Sequence, residues 1–175
     1  ADALTLALAL RAHWDSDGVP AATLRALDAA AAEVDPAAAP ALASDAHELL
    51  AYLLFEAGEV APARSHAARA LASAPDDARR ARAMVRQAWV ELAAHRDATG
   101  VPAMLDQALA LARRSGDLDA QARALHQLAV VAHNHQRRTA DAEALLAESQ
   151  ALWERLGDAR KARARLRNRA QCWVE

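Results

Sequence analysis

The chain contains one cysteine, Cys172, among its 175 residues. That excludes an internal disulfide and any paired-cysteine zinc or redox site. Five glycines leave little irregular backbone in which to build a phosphate cradle or a strained nucleophile turn. Neither a glycine-rich phosphate loop nor a nucleophile elbow occurs. Aromatic residues make up only 3%. β-Branched residues are scarce, and no run alternates with the two-residue period of a half-buried strand. No apolar run approaches the roughly 18 residues needed to cross a bilayer, so no membrane contact is expected. Charge of one sign is also lacking: 21 Lys and Arg face 23 Asp and Glu, a formal net charge of −2. The chain as a whole therefore gives no reason to expect nucleic acid. It opens Ala1-Asp2-Ala3-Leu4, without an initiator methionine or a basic segment before an apolar one. It is expected to be a piece of a longer cytoplasmic protein.

Apolar residues account for 54% of the chain, and most of them are alanine. Alanine has the best intrinsic helix propensity and lets backbones approach closely, so the composition predicts tightly packed helices. The sequence also repeats. A shift of 41 residues places Ala103-Met104-Leu105 on Ala144-Leu145-Leu146, Gly116-Asp117 on Gly157-Asp158, and Leu125 on Leu166. A shift of 40 places Ala63 on Ala103, Ala70-Leu71 on Ala110-Leu111 and Gly18 on Gly58. A period near 40 with two helices per unit is the signature of stacked helical hairpins.

Gly116-Asp117 and Gly157-Asp158 each end one helix and cap the next, Gly through the left-handed conformation and Asp through its carboxylate. Pro20, Pro62 and Pro102 fall in first helical turns, where a missing N–H costs little. The predicted helices span 2–16, 20–34, 41–57, 60–73, 77–97, 101–114, 117–136, 139–155 and 158–174. They form one domain over 1–175, with repeats at about 1–40, 41–76, 77–116 and 117–157 and a partial repeat at 158–175. The expected fold is all-α, a right-handed α-solenoid of about four antiparallel hairpins plus one unpaired helix. Ala70, Ala110 and Ala151 are expected at close helix contacts.

The segment from Ser44 to Asp77 resembles a tetratricopeptide repeat. Leu50-Ala51, Leu54, Gly58, Ala63, Ala67, Ala70 and Pro75 stand where that family places its large apolar, small, turn and terminal residues. Ala142 to Ser149, leading into Leu152-Trp153-Glu154-Arg155-Leu156-Gly157-Asp158, is similar to the 40-residue repeats of bacterial LuxR-type and antibiotic-regulatory-type transcription regulators. Leu10 to Gly18, with Trp14 before the glycine, is similar to the opening of those arrays. The resemblance implies an interaction or sensor array that binds a protein or peptide partner, or a small inducer, in a concave groove. A stand-alone protein adaptor is the alternative.

By the same resemblance, the first helix of each hairpin lines the groove. The expected partner-binding residues are Glu48, Tyr52, Phe55, Arg82, Trp89, His126, His133 and Arg167. Asp45, Arg123, Val130 and Gln171 occupy equivalent positions. The family's carboxylate clamp needs Lys and Asn at the groove, where this chain has Glu48, Leu49 and Tyr52. Tyr52, Phe55 and Trp89 stand out because aromatics are rare here and are enriched in binding hot spots.

Catalysis, cofactors and metals are not expected. His126 and His133, seven residues apart, share a helix face, with His135 close behind, but no converging cysteine or carboxylate set accompanies them. His47-Glu48-Leu49-Leu50 begins like a zinc-protease signature and lacks its second histidine. The last predicted helix carries Arg160, Lys161, Arg163, Arg165, Arg167 and Arg169. This is the one feature that would suit an anion or nucleic acid. No aromatic or DNA-reading motif accompanies its basic flank, so direct nucleic-acid contact is not expected.

Overall fold

The computed structural model describes residues 2–10, 19–94, 99–134, 136–159 and 161. Among these residues the chain is all helical, with no strand. Eight helices run in order: α1 (Asp2–Ala9), α2 (Ala21–Ala32), α3 (Pro40–Glu56), α4 (Val60–Ser73), α5 (Asp77–Ala94), α6 (Val101–Ser115), α7 (Leu118–Asn134) and α8 (Thr139–Arg155). None is long and apolar enough to cross a membrane among the described residues. The predicted helix 158–174 lies outside the described residues beyond its first turn, together with Arg160, Arg163, Arg165, Arg167, Arg169 and Gln171. Trp14, Gly18 and His135 lie outside them too.

Local chemistry sets the boundaries. At the α6–α7 junction Gly116 takes φ 72°, and the Asp117 N–H donates to the Ala112 carbonyl. The Asp117 carboxylate then accepts the Ala120 N–H at 3.0 Å, capping α7. The same junction recurs after α8. Gly157 has φ 72°, the Asp158 N–H donates to the Trp153 carbonyl, and Asp158 accepts the Lys161 N–H at 2.9 Å. Helix α7 ends at Asn134, two residues before the expected end. No glycine is available there, so Arg137 itself takes the left-handed conformation at φ 56° and the Arg138 N–H closes onto Ala132.

Each helix packs on the next along the chain, and α1 on α3, α3 on α5 and α5 on α7. Among the described residues the even-numbered helices form no comparable row. Small residues permit the close approaches. Ala51, Ala63, Ala67, Ala70, Ala81, Ala88, Ala108, Ala112 and Ala142 are completely buried. Two buried serines fasten helix pairs at those approaches: Ser44 donates its hydroxyl to the Ala70 carbonyl at 2.9 Å and Ser149 donates to that of Ala122 at 2.7 Å. Between the helices, Leu49, Leu50, Leu105, Leu125 and Trp153 are almost fully enclosed, each worth roughly 1.5–3 kcal/mol of burial.

The burial pattern corrects the expected register. Buried Val101, Leu105, Ala108, Leu111 and Ala112 map by 41 residues onto buried Ala142, Leu146, Ser149, Leu152 and Trp153, as the sequence shift implied. The step from α4 to α6 is instead 42 residues, carrying buried Ala63, His66 and Ala70 onto Leu105, Ala108 and Ala112. Ala70 is at a close contact as expected, whereas Ala110 and Ala151 are exposed. The cause is composition: alanine occupies both faces of these helices, so an alanine match between repeats does not distinguish inside from outside.

One buried polar cluster joins α2, α3 and α4. His47 and His66 bring their Nδ1 atoms within 3.0 Å, and His66 Nε2 lies 3.2 Å from the Asp28 carboxylate. Burial pushes both imidazoles toward the neutral form, His47 down to about 4, with the neighbouring His66 and Arg69 adding to the effect. With the His66 Nε2–H directed at Asp28, His66 accepts at Nδ1 and His47 donates. The contact has room for a single proton.

Candidate functional site

Helices α3, α5 and α7 form the odd-numbered row, and their burial patterns superpose by 37 residues from α3 to α5 and by 41 from α5 to α7. That register aligns Asp45 with Arg82 and Arg123, Glu48 with Val85 and His126, and Tyr52 with Trp89 and Val130. It also aligns Leu49 with Arg86 and Gln127. These rows enclose a cleft of about 180 Å³ whose walls include Glu48 and Tyr52 of α3, Arg82, Arg86 and Trp89 of α5, and Arg123, His126 and Gln127 of α7.

At the centre is a buried ion pair. Arg86 and Glu48 are each only 6% exposed, and the guanidinium reaches one carboxylate oxygen from both Nε, at 2.9 Å, and an Nη, at 2.8 Å. The same guanidinium lies 4.8 Å from the ring centres of both Tyr52 and Trp89, within range of a cation–π attraction to each. Trp89 is backed by Phe55, ring centre to ring centre 4.1 Å. Tyr52 and Trp89 also meet each other, ring centre to ring centre 5.9 Å, so a post of mutually contacting aromatic and charged groups connects α3 to α5. On the α7 side Arg123 grips Asp119 at 2.5 Å and lies 5.6 Å over the Trp153 ring.

Arg82 differs from both. Its side chain is 32% exposed, and its Nε is 3.3 Å from the Asp117 carboxylate and donates to the Ala78 carbonyl at 3.4 Å. Its terminal nitrogens make no hydrogen bond to a described residue. On its flank, Arg79 is held by Asp45 at 3.0 Å and Asp76 at 2.6 Å, which fixes the first turn of α5 against α3.

Of the residues named from sequence, the structure brings Glu48, Tyr52, Arg82, Trp89 and His126 into this one cleft, with Arg123 beside them. Phe55 supports Trp89 from outside it, and His133 lies about two turns farther along α7. Arg167 is outside the described residues. Sequence reasoning missed Arg86, Asp119 and Gln127. Arg86 was hidden because an arginine following Arg79, Arg80 and Arg82 on one helix reads as solvent-facing. The usable signal was the 37-residue register, which sets Arg86 on the buried Leu49 row. No group of three or more histidine, cysteine or carboxylate side chains suited to a metal occurs among the described residues. No protein-family model matches the chain, and no curated protein gives a significant match.

Proposed function

We propose that this chain is a tetratricopeptide-like interaction array, a right-handed solenoid of antiparallel hairpins whose concave side carries the α3–α5–α7 cleft. It binds a segment of a protein partner, or a small inducer, and performs no catalysis of its own. Within a longer protein it serves as the regulatory array of a bacterial transcription regulator. The observation that carries this reading is the concentration of aromatic and guanidinium side chains in one cleft on the odd-helix row. Tyr and Trp are rare in this chain, yet Tyr52 and Trp89 line the same cleft and both contact the Arg86 guanidinium. Preorganised aromatics of this kind supply contact area at low entropic cost. The packing of odd helices on odd helices, the buried alanines and the repeated Gly-Asp junction are what a stacked-hairpin array requires.

A photo-crosslinking residue placed at Gln127, in the cleft, and another at Arg113, on an exposed face of α6, test the reading in cells that make the protein. A partner captured from position 127, not from 113, and lost when Tyr52→Ala and Trp89→Ala are combined in a folded variant is the expected result. Equal capture from both positions, or capture indifferent to the two aromatics, contradicts it.

A further inference from the structure

Three of the cleft's side chains are arginines, and they are not equivalent. Arg86 is neutralised by Glu48 in a buried pair, and Arg123 is engaged by Asp119. Arg82 holds its neighbours only through Nε, so the two terminal amino groups of its fork, with four N–H bonds, have no hydrogen-bond acceptor among the described residues. Across the cleft on α7, Gln127 also lines the wall, and its amide has no hydrogen bond to a described residue. Each of the three arginines has a carboxylate partner, Asp117 for Arg82, Glu48 for Arg86 and Asp119 for Arg123, but Arg82 meets its partner through Nε and keeps its fork open. Spare donors on two helices, one of them an open guanidinium fork, are complementary to a carboxylate, the group that accepts such a fork bidentately.

Size then selects the kind of ligand. A cavity of about 150 Å³ accommodates one benzene-sized molecule, whereas sites for whole drug-sized ligands occupy roughly 300–1,000 Å³. At about 180 Å³ the cleft takes one side chain. Tyr52 and Trp89, both half-buried and lining the cleft, suit the methylenes of such a side chain, and its end suits Arg82.

We infer that the cleft is a specificity pocket for a single acidic side chain, Glu in preference to Asp, on a partner segment that crosses α3, α5 and α7, with the carboxylate held between Arg82 and Gln127. This rests on the proposed role of the cleft as the binding surface and specifies what enters it. Glu is preferred because its extra methylene adds apolar contact with Tyr52 and Trp89.

The test uses blocked pentapeptides of alanine with Glu, Gln or Lys at the centre. The readout is the indole N–H resonance of Trp89, assigned by loss of the peak in Trp89→Phe. The Glu peptide is expected to shift that resonance saturably, with an affinity about tenfold above the Gln peptide, because hydrogen bonds to a charged group contribute more net free energy than neutral ones. The Lys peptide is expected not to bind. Arg82→Gln should reduce the Glu peptide to the level of the Gln peptide, and Arg82→Lys, which keeps the charge without the fork, should fall between. If Gln or Lys peptides bind at Trp89 as well as Glu, or Arg82→Gln leaves the Glu peptide unaffected, the acidic pocket is wrong and the cleft remains a binding surface. If no peptide shifts Trp89, the acidic pocket is overturned together with the cleft's role in taking a peptide side chain.

Discussion

Replacing Arg86 by methionine isolates the post that shapes the cleft. Methionine keeps much of the apolar volume, so the loss is chiefly electrostatic. Glu48, 6% exposed, would remain buried opposite a thioether. Breaking a buried pair by deleting one partner costs about 3–5 kcal/mol. Loss of the guanidinium also ends its contacts with Tyr52 and Trp89, each at 4.8 Å and each worth about 0.5–1 kcal/mol where solvent is near. Rearrangement of Glu48 toward water recovers part of this, so about 3 kcal/mol is expected for Arg86→Met. The double variant Glu48→Leu/Arg86→Met removes both charges, and apolar replacement of a whole buried pair is often neutral or stabilising. Urea unfolding followed by circular dichroism reads all three, provided the slope with denaturant stays constant. The expected pattern is a strongly destabilised single variant and a double variant near the parent. If Arg86→Met costs under about 1 kcal/mol, or the double variant is as destabilised as Arg86→Met, the pair is not the desolvated unit that the geometry implies.

Packing and pH supply two further predictions. Ala67→Leu and Ala108→Leu, at completely buried positions, should each lose about 1–3 kcal/mol by overpacking, while exposed Ala110→Leu and Ala151→Leu should stay within about 0.5 kcal/mol of the parent; thermal or urea melts of the four variants check the 42-residue step. Burial lowers the His47 pKa from 6.5 to about 4, so its neutral form contributes stability fully above about pH 6.5 that is lost as pH falls toward 4, roughly 3 kcal/mol in all. Stability measured across that window should fall more steeply in the parent than in His47→Leu, and equal slopes would contradict the buried neutral pair.

Much of the fold was legible because its signals are local. The spans of α4 and α8 follow from Pro62, Pro75 and the Gly157-Asp158 junction, where backbone geometry demands particular residues. The odd-helix row was legible through Tyr52 and Trp89, whose scarcity marks them against an alanine background. The α4–α6 step was not legible, because Ala103 and Ala110 match Ala63 and Ala70 in type while differing in burial. Arg86 and the His47–His66 pair were missed for a related reason. A polar residue on a buried face is recognisable only from the partner that compensates it, and Glu48 and Asp28 lie 38 residues from their respective partners in the chain.

The central claim is that partners are bound through the aromatic cleft. It is tested most directly by the dissociation constant of the captured partner for Tyr52→Ala and Trp89→Ala beside Arg163→Glu and Arg167→Glu, with folding checked by circular dichroism. Each aromatic truncation is predicted to weaken binding by about 1–3 kcal/mol, the range of ordinary hot-spot losses, and the two charge reversals to change it only modestly and mainly at low salt. Normal binding by the folded aromatic variants, with binding abolished by the charge reversals, would contradict the account and move the site to the basic C-terminal segment.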